Sequence, residues 1–276
     1  MYSCTIINRI GDIRMFKREF KINLKSLIIW TVIVMALFLM VFAIYPSMMQ
    51  SEEQLNELME IFPENVLKMF NMDIESMGSA FGWIKTEGYV FLALLGAFYS
   101  AILGGTILVK EENDKTIEFL YSKPISRNKI VTTKILCGVI NIFIFTVAVT
   151  IFNLCGLAIS DDLDLKPFLL ISLSPLFLFY MTFFIVLFVS TFMKKSRKAM
   201  SVGIGFVFIS YFLQTIGNMS QKVAIIKSLS VFEFVSSRYI IVNNTLDWKY
   251  IIAGIFIMVI VAVGVYIRYN KKELVV

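Results

Sequence analysis

Acidic residues and cysteines are the candidates for chemistry in this 276-residue chain, which contains no histidine. The lack of histidine excludes histidine-based catalysis and histidine-ligated metal sites. The three cysteines form no C-x-x-C pair. Cys137 and Cys155 lie on one apolar run, about 27 Å apart at 1.5 Å per helical residue, which is too far for a disulfide within one chain. We interpret both as buried small apolar residues.

Two acidic groups resemble known sites, but each lacks the remaining parts of the site. Glu111–Glu112 is similar to the paired glutamates of intramembrane prenyl proteases, which also need histidines and a suitably spaced arginine that are absent here. Asp161, Asp162 and Asp164 hint at a calcium loop without its glycine and distal glutamate. The chain also has no G-x-x-x-x-G-K-[ST] phosphate-binding loop. We therefore predict no catalytic residue, metal or cofactor in this chain, and any nucleotide energy must come from another polypeptide.

Long apolar runs determine where every other residue lies. A helix needs about 20 apolar residues to cross a hydrocarbon core of about 30 Å, and barrel strands would alternate polar and apolar residues. The sequence therefore predicts an all-α integral membrane fold, with one transmembrane domain over residues 1–276. We expect no cleavable signal peptide, because the first run begins only at Leu27 and is too long for one. The six predicted transmembrane helices, spans 1 to 6, are 27–45, 89–109, 135–159, 168–193, 200–217 and 251–267.

Charge is distributed unequally between the two sides of these spans. Of the 26 Lys and Arg residues, 19 lie in segments 1–26, 110–134, 194–199 and 268–276. Of the 20 acidic residues, 13 lie in segments 46–88, 160–167 and 218–250. Basic residues remain on the cytoplasmic side, so we predict a multi-pass protein of the plasma membrane with both termini in the cytoplasm. The basic residues form separate clusters at the membrane edge, which argues against nucleic-acid binding.

The spans themselves contain almost no ionisable residue. Carriers that move protons or ions through their own side chains usually need such groups near the membrane centre. This composition favours a protein that is powered from elsewhere and moves its cargo along an apolar or subunit-lined path. Pro175 is expected to kink span 4.

The segments between the spans also show structure. Apolar residues at steps of three or four in 1–26 predict an amphipathic helix at the membrane interface, joined to span 1 by an elbow, with Arg14, Phe16, Lys17 and Phe20 at the interface. Segment 46–88 is too long for a turn and is expected to contain short helices. Segment 218–250 is so apolar that we predict short helices dipping back into the membrane before span 6, with Ser230 and Glu233 as a capping box.

Small residues recur at steps of four in span 2, at Gly96, Ser100 and Gly104, and Gly203 lies in span 5. Such rows let another helix approach closely. Internal packing is the simpler interpretation, and a seam between two subunits is the narrower one.

The charged segment 110–134 lies between spans 2 and 3. Asp114 can cap a short helix at Thr116–Tyr121, which Pro124 would end. A short amphipathic helix held between two spans can transmit force from a cytoplasmic partner. The alternative is an ordinary solvated loop.

The sequence E-E-x-x-x-T-I-E-F-L-x-S-K-P-I-S-R at Glu111–Arg127 resembles the signature of ABC transporter permeases of the ABC-2 family, also called type V exporters. That pattern usually has glycine where this chain has Lys115. The six-span order, the amphipathic N-terminal helix and the membrane-dipping segment are also similar to the family. The resemblance therefore covers essentially the whole chain.

The resemblance implies a complex with two separate ABC ATP-binding subunits, which would bind ATP and Mg, and with a second permease chain, identical or paralogous. Segment 110–134 would contain the coupling helix, and the N-terminal helix would add to that surface. Spans 2 and 5 would face the second permease and line the pathway, which includes Gly96, Ser100, Gly104 and Gly203. The implied contacts with the ATPase subunit are Glu111, Glu112, Thr116, Glu118, Phe119, Leu120 and Arg127.

The predicted function is therefore that of a non-enzymatic permease subunit in an ATP-driven export complex. The charge-free spans favour a hydrophobic or amphipathic cargo, such as an antimicrobial peptide, a lipid-like molecule or a drug. Sodium efflux is an alternative within the family. A non-transporting membrane sensor or scaffold for an ATPase is an alternative from another class.

Overall fold

The computed structural model describes residues 2–49, 80–116, 125–158, 164–219 and 224–272, with side chains for 14–43, 81–116, 125–158, 164–219 and 225–272. Within these ranges every regular element is a helix. They are Tyr2–Met49, Ala80–Trp83, a π-helical turn Ile84–Gly88, Tyr89–Ile107, Lys110–Asn113, Arg127–Ala158, Leu165–Leu173, Pro175–Ser190, Ser196–Met219, Ala224–Lys227, a 3-10 turn Val231–Val235, Ser237–Asn243 and Trp248–Lys271.

Six of the described helical segments are long and apolar enough to cross a membrane. The predicted all-α fold with six such helices is confirmed. Every observed segment begins before the predicted one, because hydropathy marks only the apolar part of a helix while its charged first turns remain helical. The observed spans 1 to 6 are Arg14–Ala43, Phe81–Ile107, Arg127–Leu157, Leu165–Ser190, Ser196–Met219 and Trp248–Lys271.

Span 1 is part of one continuous helix, Tyr2–Met49. The sequence predicts a separate interfacial helix over 1–26 with an elbow before span 1. The structure shows no break at that point, so this boundary is not confirmed. The buried stripe of this helix follows steps near four and includes Met15, Glu19, Leu27 and Val34.

Span 2 lies at the centre of the helix packing. It packs most extensively against the second half of span 4 and then against span 5, while span 1 packs mainly on span 3. Ala97, Tyr99, Ser100 and Ala101 of span 2 are fully buried. Span 6 is peripheral, and Ile252 remains 66% exposed.

Span 4 consists of two helices that meet at Ser174 and Pro175. Proline has no backbone N–H, so it is suited to the first position of a helix and not to its interior. Ser174 keeps helical dihedral angles, with φ −56° and ψ −36°. Where the sequence predicts a kink at Pro175, the structure therefore has a break between two helices. The backbone angles at Ser174 remain helical across this break.

In the described part of the connection between spans 5 and 6, residues 224–247, there are three short helices, and the middle one is buried throughout. Ser230 caps it by accepting a hydrogen bond from the N–H of Phe232 at 3.1 Å, and its hydroxyl donates to the carbonyl of Ser210 at 2.6 Å. Glu233 pairs with Lys227 at 2.8 Å. The short helices and the serine cap agree with the sequence, whereas the glutamate of the expected capping box forms an ion pair. Their depth in a membrane remains a prediction.

Candidate functional site at the basic end of the spans

Buried charges gather at the end of the helix bundle where spans 1, 3 and 5 begin and spans 2, 4 and 6 end. We call this end the basic end. The ammonium of Lys134, near the start of span 3, is fully buried there. It lies 2.6 Å from Glu111 Oε1, 2.5 Å from the carbonyl oxygen of Ile107 and 3.5 Å from Glu19 Oε2. These four groups are the Lys134 cluster.

The Lys134 cluster matches donors with acceptors. A lysine ammonium has three N–H donors, and here three acceptors surround it. Span 2 ends at Ile107, and carbonyls at a helix C-terminus lack intrahelical partners and carry partial negative charge. The buried lysine donates to that carbonyl and to one oxygen of each carboxylate, whereas Oε2 of Glu111 has no hydrogen-bond partner among the described residues. The cluster therefore joins span 1, the end of span 2 and the start of span 3.

A second buried ion pair ties the C-terminal end of span 6 to the same region. Lys272 Nζ lies 2.6 Å from Glu112 Oε1 and donates to the carbonyl of Met193 at 2.8 Å. Arg127, at the start of span 3, donates to the carbonyls of Asn270 and Lys272 at 2.9 and 3.0 Å. The ends of spans 4 and 6 and the start of span 3 thus meet beside Glu112.

The short helix Lys110–Asn113 is the element on which both ion pairs converge. The N–H of Thr116 donates to the backbone carbonyl of Glu111 at 2.9 Å, and the N–H of Lys115 donates to the backbone carbonyl of Glu112 at 3.4 Å. This pair of bonds is the Schellman arrangement, which places a left-handed residue after the helix. Lys115 has φ 54°. The signature that Glu111–Arg127 resembles usually has glycine at this position. Glycine adopts such angles without strain.

The same short helix also reaches span 5, because Asn113 Oδ1 accepts from the N–H of Ser196 at 3.4 Å. Polar contacts therefore connect the helix directly to spans 3 and 5 and to the C-terminal end of span 6, and through Lys134 to span 1. The helix also follows span 2 directly in the chain. Any displacement of this helix must move these contacts or break them. Among the described residues, no group of three or more His, Cys, Asp or Glu side chains could hold a metal ion.

The structure places the predicted ATPase contacts in different environments. The side chains of Glu111 and Glu112 point into the chain and are paired with lysines, and their direct contact with a partner stays a prediction. The Arg127 guanidinium donates to carbonyls at the end of span 6, and Thr116 is the exposed member of the described set. The residues Glu118, Phe119 and Leu120 lie outside the described residues.

The predicted interface residues on the N-terminal helix occupy two environments. Arg14 and Lys17 are exposed. Phe16 and Phe20 are half-buried against the core, and their rings stack with centroids 6.1 Å apart. These phenylalanines therefore contact the rest of the chain as well as its surroundings.

The predicted seam residues lie in contacts within the chain. A Cβ atom on Gly96 would lie 2.1 Å from the ring of Phe179, and one on Gly104 would lie 2.6 Å from the carbonyl oxygen of Phe183, both in span 4. A Cβ atom on Gly203 would lie 2.8 Å from Val186, and Ser100 is fully buried. The row of small residues thus permits spans 2, 4 and 5 to pack closely within the chain, and the seam with a second permease stays a prediction.

Sequence analysis missed Glu19, Lys134 and Lys272 as members of a site. One signal was present for Glu19, which is the only acidic residue among five basic ones in residues 14–26. Lys134 was assigned to a connecting segment because it precedes the apolar run of span 3. Its partner Glu19 is 115 residues away in the chain, and no helical spacing relates them.

Comparison with known proteins adds the family. The profile described as ABC-2 family transporter protein matches residues 13–274, which is nearly the whole chain and includes both ion pairs. A search of curated proteins found no match. The segment match at Glu111–Arg127, the six spans and the family profile agree. The chain belongs to the ABC-2 transporter family and is the multi-span membrane component of an ABC-2 type transporter.

Proposed function

We propose that this permease exports a hydrophobic or amphipathic cargo, driven by two separate ATP-binding subunits that dock on segment 110–134. The observation that supports this proposal is the pair of buried salt bridges on the helix Lys110–Asn113. They connect the segment after span 2 to the start of span 3 and to the C-terminal end of span 6. Movement imposed on residues 117–124 would reach the spans through this short helix.

The ion pairs suit the transmission of movement because they are buried. Removal of one partner from a buried salt bridge typically costs about 3–5 kcal/mol, so these contacts resist separation while the attached elements move. We therefore assign Glu111 and Glu112 to the relay between the partner and the spans. Thr116, Glu118, Phe119 and Leu120 remain the proposed contacts with the ATPase subunit.

The remaining parts of the proposal concern cargo, partner and orientation. The described buried polar side chains in the middle of the spans, such as Asn141, Asn153 and Thr182, are uncharged, which suits a cargo that is largely apolar. Phe208 and Ile209 of span 5 are exposed apolar residues that a second permease, identical or paralogous, or membrane lipid would cover. The basic end would face the cytoplasm, in accordance with the positive-inside rule.

The test separates docking from relay in the purified permease–ATPase complex. Spin labels at Lys25→Cys and Ile209→Cys, both exposed positions on different spans, report movement by their distance with and without ATP. The background carries Cys4→Ser and Cys155→Ser, whereas Cys137 is buried. Glu118→Arg should abolish recovery of the ATPase subunit.

Glu111→Gln should keep the ATPase subunit at the ratio found in the unsubstituted complex but abolish the change of distance on ATP binding. Asp114→Asn, which removes an exposed carboxylate three residues away, is the matched control and should behave like the unsubstituted protein. An unchanged ATP-dependent distance in Glu111→Gln would contradict the relay. Undiminished recovery of the ATPase subunit with Glu118→Arg would contradict docking at this segment.

A further inference from the structure

A large groove opens at the opposite end of the bundle from the Lys134 cluster. It lies between span 4 and span 6 beside the short helices that precede span 6, and it has a volume of about 910 Å³. That volume falls in the range of about 300–1,000 Å³ found for small-molecule sites. The apolar walls include Leu169, Leu170, Leu173, Leu176, Phe177 and Ile251.

The groove is polar at one end and apolar along its length. Its lining begins at Leu165 and Lys166, in the first turn of span 4, and extends to Tyr180. The helix rises by about 21 Å over the fourteen steps from Lys166 to Tyr180, at 1.5 Å per residue. One leaflet with its headgroup region is about 20–22 Å deep, half of the full bilayer thickness. The groove therefore has the length of one membrane leaflet, with its polar rim at the membrane surface.

The rim offers a positive charge and an interfacial aromatic ring. Lys166 is exposed, and no carboxylate among the described residues forms an ion pair with it. Trp248, also in the lining, is 64% exposed, and tryptophan is enriched at the headgroup level of membranes. Asn244 and Thr245 complete the rim. A cation and polar groups above an apolar wall suit an amphiphile with an anionic head.

We propose that this groove binds one phospholipid molecule of the surrounding leaflet, with acyl chain on the leucine wall and phosphate at Lys166. The leaflet-long apolar wall and the exposed amine of Lys166 at its rim select this occupant over a soluble ligand. The lipid would fill the space between spans 4 and 6 beside the break at Ser174 and Pro175. This site is separate from the Lys134 cluster and does not depend on the proposed function.

The experiment titrates the purified full-length chain in detergent with phosphatidylglycerol and counts bound lipids by native mass spectrometry. The unsubstituted protein should bind one lipid at low concentration, before weaker lipids accumulate. Leu173→Trp fills the groove and should weaken that first binding event by about tenfold or more, which corresponds to about 1.4 kcal/mol. Ile151→Trp adds the same ring to an exposed position of span 3 outside the groove and should leave binding unchanged.

Lys166→Glu provides a second variant at an exposed rim position where folding is not at risk, and it should also weaken phosphatidylglycerol binding. If all four proteins bind lipid identically, the bound lipid is a general annulus and the proposal is overturned. If no lipid binds, or if the amphiphile released from the native protein is not a phospholipid, another occupant such as cargo or a segment of this chain fills the groove. The readout requires no ATPase subunit, so its failure is distinguishable from failure of the export proposal.

Discussion

The ammonium of Lys134 lies 2.6 Å from Oε1 of Glu111, and both side chains are buried. This contact connects the start of span 3 to the helix that follows span 2. A second carboxylate, that of Glu19, lies 3.5 Å from the same ammonium. One cation therefore compensates two buried carboxylates, which makes Lys134 the residue on which the cluster depends.

Lys134→Met should destabilise the protein more than any other single change in the Lys134 cluster. It would leave two buried carboxylates without their cation, and removal of one partner from a buried pair costs about 3–5 kcal/mol. The measurement is the free energy of unfolding from denaturant titration in mixed micelles. Lys25→Met, which removes an exposed lysine from span 1, should change that energy by less than about 0.5 kcal/mol.

The combined variant Lys134→Met with Glu111→Gln should recover part of the lost stability, because fewer uncompensated charges remain. If the losses in free energy of unfolding of the two single variants simply add up in the double variant, the ion pair seen in the structure contributes no coupling energy.

Lys115→Gly should raise the stability by roughly 0.5–1 kcal/mol, because Lys115 occupies a left-handed conformation with φ 54°. Lys110→Gly, in the adjacent helix, should instead lower the stability by about 1 kcal/mol. Both changes remove one lysine from the same segment, so charge is matched between them. A loss of stability for Lys115→Gly in the same titration would indicate that the lysine side chain makes a contact that outweighs the backbone strain.

Gly104→Ala should cost roughly 1–3 kcal/mol, because the new Cβ would lie 2.6 Å from the Phe183 carbonyl oxygen and 3.2 Å from the Leu187 nitrogen. Both are backbone atoms of span 4 and cannot move without shifting that helix. Gly205→Ala is the matched control, since no atom beyond its own chain neighbours and helix backbone lies within 4 Å of its Cβ position. Equal thermal stability of the two variants would contradict the close packing of spans 2 and 4.

Ser230→Ala should lower stability by about 1–3 kcal/mol, because it removes a helix cap and leaves the buried Ser210 carbonyl without its donor. Ser228→Ala, two residues away and exposed, should have little effect. Thermal unfolding of both variants checks this. If Ser230→Ala is as stable as Ser228→Ala, the hydroxyl does not anchor the segment before span 6.

The features that sequence predicted correctly are those set by local chemistry. Uninterrupted apolar runs require helices in a membrane, and Pro175 cannot continue a helix through its missing N–H. Ser230 precedes an apolar run and caps it. The small residues of span 2 predict a close contact with another helix. Any helix could pack against such a row, so the sequence pattern does not identify span 4 as the partner.

The features that sequence did not predict depend on residues distant in the chain. Glu19 and Lys134 meet across 115 residues, and each alone is typical of a charged membrane-edge segment. The same applies to Glu112 and Lys272, which are 160 residues apart. Because the sequence pattern placed Glu111 and Glu112 beside a partner-binding motif, their side chains were assigned to the partner, whereas the structure pairs them with lysines.

The most direct test of the central proposal is to purify the chain in mild detergent from its native host and measure co-purifying ATPase activity. We expect a separate ATP-binding protein at one copy per permease with Mg-dependent ATPase activity, and loss of that protein with Leu120→Asp while the permease still inserts in the membrane. Recovery of the chain alone, under conditions that preserve a known permease–ATPase complex, would contradict a permease driven by a subunit docked on segment 110–134. Equal recovery of the ATP-binding protein with Leu120→Asp would contradict the docking site itself.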